Sequence, residues 1–572
     1  MHLAFLLALL AQDPLVASTP PLSPEEQRAK FKLPPGFEIQ LVAAEPDIVK
    51  PMNLNFDDRG RLFVTQSYEY PYPNKDGKPR DTVRLLQAFG PDGKAGKITV
   101  YADGLNIPIG VQATLDGALV HSIPKVWRMK GVDSAESREA ILGDAGFNDT
   151  HGMLSAFTPW IDGWTYACHG FSNKSTLRTS NGQEISMHSG NTWRMKADGS
   201  AVQQYTHGQV NPFGLCFDPL GNLYSADCHS LPAYALLRGG WYPTFDGKHD
   251  GLGHAPTILK HLHGSTGIAG IIYYESDHYP PQFRDTLFIG NPVTGKINTD
   301  RLDRKGSSLV AIETPDFLTC DDPWFRPVDL ELAPDGSLYV ADFYNCIIGH
   351  YEVPLNHPKR DKTRGRIWRI VAKDRPARAM PDLYKASPAE LAKLLDDETL
   401  LVRVKATNQL VERVGSADAV TFDTPRRKAH GLWILERLGK LDEARVRGFA
   451  TDAEAIVRVH LLKALAERKA WTFEAPLVRE KLADADAYVR RAAAEGLALH
   501  PDAENVKPLI ALWAATPPED THLIYMCRKA LRDQILAPGV LAKAVEIDAG
   551  RVADVAVGAP TADVANFLLE RL

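Results

Sequence analysis

Through the first two thirds of the chain, apolar and polar residues alternate over short runs, and each run follows a turn. Gly221-Asn-Leu-Tyr-Ser-Ala-Asp227 returns as Gly336-Ser-Leu-Tyr-Val-Ala-Asp342. Shorter relatives are Gly60-Arg-Leu-Phe-Val64, Gly117-Ala-Leu-Val120, Gly163-Trp-Thr-Tyr-Ala167 and Asp285-Thr-Leu-Phe-Ile-Gly-Asn291. The leading Gly or Asp supplies the positive φ of a tight turn, and the alternation after it suits a half-buried strand. Phe217-Asp-Pro-Leu-Gly221 and Leu332-Ala-Pro-Asp-Gly336 set strand, turn and strand in order. The copies stand about 55 residues apart, room for a four-stranded blade and its loops. Six such units fill residues 36–372 and predict a six-bladed β-propeller. Its ring would close by pairing Phe37-Glu-Ile-Gln-Leu-Val42 with Arg366-Ile-Trp-Arg-Ile-Val371. A β-sandwich with similar turns is the competing arrangement.

Near Lys373-Asp-Arg-Pro the pattern changes from period two to helical spacing, rich in Ala, Leu, Glu, Arg and Val. Asp397, Asp452 and Asp484 are each followed five and six residues on by Val-Arg: Val402-Arg403, Val457-Arg458 and Val489-Arg490. Asp is expected to cap a helix, Val to enter the core between repeats, and Arg to reach a carboxylate at the turn. The spacing resembles HEAT-type repeats, which stack as a solenoid. The expected organisation is therefore β then α: a propeller over 30–372 and a HEAT-like solenoid over 382–572. The solenoid would either brace the propeller or bind a protein partner.

Composition narrows the function. The chain has 572 residues, 44% hydrophobic and 24% charged, with a formal net charge of −6. No basic run appears, which argues against a nucleic-acid partner. Met1-His-Leu-Ala-Phe-Leu-Leu-Ala-Leu-Leu-Ala11 has the short apolar core of a secretory signal, expected over residues 1–18, and implies export to the periplasm or exterior. Of six cysteines, Cys216/Cys228 and Cys320/Cys346 are spaced to pair in an oxidising compartment or to stay as buried thiols. No Cys-x-x-Cys-His occurs, so the chain has no covalent haem attachment site.

Eleven of the 18 histidines fall between His121 and His278, a concentration that points to a polar propeller face. His151 precedes a blade strand; His169 and His229 follow the Tyr-containing strands of theirs. Asp227, Asn291 and Asp342 end equivalent strands, and equivalent positions in successive blades share one face. His261-Leu-His263 sets two imidazoles on one side of an extended segment, a spacing suited to a metal, with His249-Asp250 and His254 nearby. Candidate metal residues are thus Asp227, His229, Asp342, His261 and His263. The zincin, α/β-hydrolase and P-loop motifs are absent from the sequence.

The stretch from His151 through Leu154-Ser-Ala-Phe-Thr-Pro-Trp160, followed by Asn211-Pro-Phe-Gly-Leu-Cys-Phe217, resembles the soluble quinoprotein glucose/sorbosone dehydrogenases. A closer resemblance is to a bacterial group, known from planctomycetes, labelled membrane-bound dehydrogenases. It rests on Leu33-Pro-Pro-Gly-Phe37, His188-Ser-Gly-Asn191, Trp324-Phe-Arg-Pro-Val-Asp329, the segment from Asp342 to Pro354, and Gly365-Arg-Ile-Trp-Arg-Ile370. The resemblance implies a six-bladed propeller that binds pyrroloquinoline quinone (PQQ) and Ca²⁺ and oxidises a sugar or other alcohol. It places His151 as the base that takes the hydroxyl proton and Asn211 as a cofactor contact. Where the quinoproteins carry Arg before that Asn, this chain has Val210; Arg326, Arg194 and Lys296 are the candidate replacement cations. Larger members append a c-type cytochrome module and this sequence ends without one, which implies either a separate cytochrome electron acceptor or a shortened or non-enzymatic member. Two other readings stay open: a metal-dependent lactonase-type hydrolase using Asp227, Asp342, Asn291 and the histidines, and a non-catalytic scaffold binding glycans or proteins.

Overall fold

The computed structural model describes residues 15–347, 353–354, 356–375 and 378–571; most of the leader-like segment lies outside them. Six antiparallel sheets follow one another as blades around an axis. Their inner strands are Pro51–Phe56, Val111–Thr114, Ser155–Pro159, Asn211–Phe217, Ile271–Tyr274 and Pro327–Leu332. Each touches the next, and the last returns to the first. The six repeated sequence segments are the second strands: Leu62–Gln66, Gly117–Ser122, Thr165–His169, Leu223–Cys228, Thr286–Asn291 and Leu338–Asp342. The six-bladed reading therefore holds, and the sandwich does not.

In several blades an aspartate builds the turn before the second strand. Asp57 accepts the N–H groups of Arg59 and Arg61, and Asp218 those of Leu220 and Asn222. Local side-chain bonding of this kind folds the chain back without help from the sheet. Closure is also as expected. Strand Phe37–Ala44 pairs antiparallel with Arg366–Ala372, from Phe37 opposite Ala372 to Ala44 opposite Arg366, so the sixth blade joins both ends of the domain. The fourth blade has three strands, and a long loop, 237–270, runs from it to the fifth.

Among the described residues, eleven α-helices follow, from Pro388–Leu394 to Ala562–Leu569. One row of them (Leu400–Gln409, Pro425–Arg437, Ala455–Ala466, Ala487–Leu499 and Thr521–Ile535) covers the propeller face on which the inner strands end. Lys405 Nζ donates to the Phe56 carbonyl at 2.6 Å, Lys463 Nζ to that of Gly221 at 2.9 Å, and Arg491 Nη1 to that of Ser307 at 2.6 Å. These helices brace the β domain. No described helix is long and apolar enough to cross a membrane.

The Asp/Val-Arg pattern recurs in space with two corrections. Val402, Val457 and Val489 are buried as expected. Each Asp, however, folds the turn before the helix by accepting the N–H two residues on, and the N-caps are Thr399, Glu454 and Asp486. Each Arg caps backbone carbonyls: Arg403 those of Asp397 and Glu398, Arg458 those of Asp452 and Ala453, Arg490 those of Asp484 and Ala485. Carboxylates come second: Arg458 also bonds that of Asp484 at 2.8 Å, and Arg403 comes within 3.6 Å of that of Glu275. All six cysteines are free thiols, so neither candidate pair forms.

Candidate active site

Helices lie over one propeller face, and His151 lies on the opposite face. It carries the beginnings of the inner strands and the ends of the second strands. Met52, Ile107, Ile109 and Met153 form a buried apolar floor there, with Tyr70, Phe213 and Phe343 packed against it. Backbone strain collects at this end too. Lys50, Ile107, Gln209 and Tyr344 all have positive φ, an outlier for a β-branched residue such as Ile107.

His151 stands at the edge of this floor, its side chain 31% exposed. The Tyr70 hydroxyl lies against its ring, 2.8 Å from Nδ1 and also in contact with Nε2. Asp149 accepts the His151 backbone N–H at 2.9 Å and keeps a carboxylate oxygen 3.7 Å from Nδ1. Neighbouring segments hold this loop. Asn173 donates to the carbonyls of Asp149 and Gly152, and Thr150 donates to that of Pro71. The loop bearing Tyr70 hangs on Asp81, whose buried carboxylate accepts from Ser67 Oγ and from the backbone of Tyr68, Glu69 and Ile107. Asp149, two residues before His151, was available in the sequence as a signal; nothing there marked Tyr70.

Two cations adjoin the same quarter. Arg326 is 5% exposed, and its Nε and Nη2 find no hydrogen-bond partner among the described residues. Burial pushes its pKa down to about 10. Phe343, in ring contact with Tyr70, donates its N–H to the Arg326 carbonyl. An unsatisfied guanidinium is expensive to bury, and it suits an anionic partner. Lys50 is already engaged: Nζ donates to the Tyr344 carbonyl at 2.6 Å and pairs with Asp361 at 2.9 Å. Burial lowers its pKa to about 8.

The remaining sequence candidates have other places. Arg194 lies on the helix-covered face, paired with Glu467 at 2.8 Å and stacked over Trp164 at 4.2 Å. Lys296 is held by Asp316 at 2.7 Å on the third strand of the fifth blade. Asn211 gives its side-chain oxygen to the Phe171 N–H and thereby shapes the wall beside Gly152. Asp227 accepts the N–H groups of Val210 and Asn211; Asp342 accepts those of Arg326 and Tyr344 and the side chains of Gln27 and Trp368. Each carboxylate clasps the start of the inner strand of its own blade, and the two are not turned to a common metal. Burial raises Asp227 to about 7 and raises Asp342 as well. His229 is exposed beside Phe245. His261 and His263 meet each other on the flank of the fifth blade; His249 and His254 do not join them.

Deeper along the axis a cavity of about 140 Å³ lies between the inner strands and the helix Leu400–Gln409, lined by Asn53, Asn55, Asp329, Glu331 and Lys405 among others. Burial raises Asp329 to about 7 and Glu331 to about 8.

A family model described as a domain of unknown function, DUF7133, matches residues 23–374. No curated protein matches the sequence. Solved structures similar to this chain include an oxidoreductase assigned as a glucose dehydrogenase from Thermus thermophilus. It shows 15% identity and TM-score 0.40, over 59% of this chain and 100% of that one. The PQQ-bound aldose sugar dehydrogenase of Streptomyces coelicolor shows 14% identity and TM-score 0.38, over 59% and 99%. The soluble aldose sugar dehydrogenase of Escherichia coli shows 14% and 0.26, over 59% and 99%.

Proposed function

We propose that this chain, which belongs to the DUF7133 family, is an exported quinoprotein-like dehydrogenase that oxidises a sugar or other alcohol hydroxyl at the open propeller face. The observation that carries the reading is the His151–Tyr70–Asp149 group beside an apolar floor on which Phe343 packs, the residue whose N–H the Arg326 carbonyl accepts. A neutral imidazole titrates near neutral pH and suits removal of a hydroxyl proton. His151 takes that proton; Asp149 faces the imidazolium that forms and offsets its charge, while Tyr70 fixes the ring's orientation. The apolar floor excludes water from the carbon that loses its hydride. PQQ, when bound, supplies the two-electron acceptor for that hydride, leaving the substrate as a carbonyl compound. Arg326 would hold an anionic group of the cofactor, and Phe213 and Phe343 would offer it apolar contact. The lactonase-type alternative stays open but has less support at Asp227 and Asp342, whose carboxylates accept backbone N–H groups.

A dye-linked oxidation assay on protein reconstituted with PQQ and Ca²⁺, over a panel of sugars and alcohols, tests this. Turnover is expected, with His151→Ala lowering kcat/KM by about 100-fold or more at unchanged circular dichroism. No turnover on any substrate, together with no quinone retained after desalting, would overturn the reading.

A further inference from the structure

Asp300 is fully buried on the third strand of the fifth blade, and its cross-strand partner is Glu313. Two carboxylates directly opposite each other repel, and a buried carboxylate needs a compensating charge. What the chain brings to them is His261 and His263, from the long loop 237–270. His261 Nε2 lies 2.8 Å from Asp300 Oδ1, and His263 Nε2 lies 2.8 Å from Asp300 Oδ2. The Glu313 carboxylate faces the other nitrogen of His263, Nδ1, at 3.5 Å. Leu262, between the histidines, points outward at 52% exposure, as alternation along an extended segment requires.

We propose that His261, His263 and Asp300 bind a first-row divalent transition metal, Zn²⁺ being the best match, at a site that fastens the 237–270 loop to the fifth blade. The three ligand atoms lie within 4.8 Å of one another. Two imidazole nitrogens and one carboxylate are a donor set for a borderline cation, not for Ca²⁺. Glu313 stands where the outer partner of a ligating histidine belongs: an Nδ1–H directed at it leaves the Nε2 lone pair for the metal. The side chain of His261 is 21% exposed, so water reaches the fourth position. The site is separate from the His151 pocket, and its role is structural. The loop it fastens supplies Phe245, which packs on Phe171 and His229 at the open face, and Thr266, whose carbonyl accepts the His229 N–H.

The test is metal analysis of the full chain after chelator treatment and dialysis against Zn²⁺, with Co²⁺ as a spectroscopic probe. One Zn²⁺ per chain is expected, with a tetrahedral Co²⁺ visible spectrum, a higher melting temperature and slower proteolysis within 237–270. Asp300→Asn and His263→Ala should abolish stoichiometric retention, and Glu313→Gln should weaken binding about 10-fold or more. His261→Ala and Glu313→Gln change partly exposed side chains, so they report even where a buried variant fails to fold. The absence of stoichiometric binding in the parent chain, or equal binding in His261→Ala and Glu313→Gln, would overturn the proposal.

Discussion

Tyr70 and Asp149 address the same imidazole, and their replacements should separate orientation from charge. Asp149→Asn keeps the bond that accepts the His151 N–H but loses the counter-charge, so kcat should fall about 10-fold or more with KM little changed. Tyr70→Phe should lower kcat less and leave the pH profile in place. Steady-state kinetics across pH on the reconstituted enzyme checks both. Glu331 makes a different prediction. Its carboxyl is raised by burial from 4.5 to about 8, so between those values the folded state binds the extra proton. Stability from this group therefore falls as pH rises through that window. Glu331→Gln should flatten the loss seen between about pH 5 and pH 8.5 in urea titrations. Residues of this kind mark where sequence reading stopped. His151 was visible because it precedes a strand of recognisable pattern. Asp227 and Asp342 looked equally like ligands, since both end a strand on the same face. Their carboxylates are instead consumed by N–H groups at the start of the adjoining inner strand, and that demand is a property of the folded backbone, not of the letters.

Between elements, one junction joins helix Ala455–Ala466 to the third blade and to the segment after the fourth. Glu467, just past that helix, pairs with both Arg194 and Arg238 at 2.8 Å. Burial pushes its carboxyl up, but the two guanidinium groups outweigh this and hold it at about 2. A depressed carboxyl contributes stability that is present above about 4.5 and is lost as pH falls toward 2. Glu467→Gln should remove that acid-limb loss, and Glu467→Ala should cost on the order of 3 kcal/mol by leaving the buried Arg194 with only the more distant Asp162 carboxylate, at 3.7 Å, as counter-charge; denaturant unfolding at several pH values measures both. Helical periodicity showed that these helices carry apolar stripes. It could not say that one row would spend its basic side chains on propeller carbonyls, because Lys405, Lys463 and Arg491 read locally as ordinary surface charges.

At the scale of the whole molecule, the ring was legible because each blade restates one turn and one strand. The 237–270 loop was not, because it follows no period and its anchors, Asp300 and Glu313, come later in the chain. The ring depends on strand Phe37–Ala44. Removing residues 1–44 leaves Arg366–Ala372 as a bare sheet edge and takes from Arg366 its Gln27 partner. Such a chain should melt at a lower temperature and associate through that edge, as calorimetry and gel filtration would show. The same closure orders events during synthesis. Glu45 and Arg366, which bond across the seam, are 321 residues apart. At ribosomal rates of roughly 5–20 residues per second, the first strand waits on the order of half a minute for its partner. Through that interval strand Phe37–Ala44 lacks the partner that closes the ring, the period in which a chaperone would matter most.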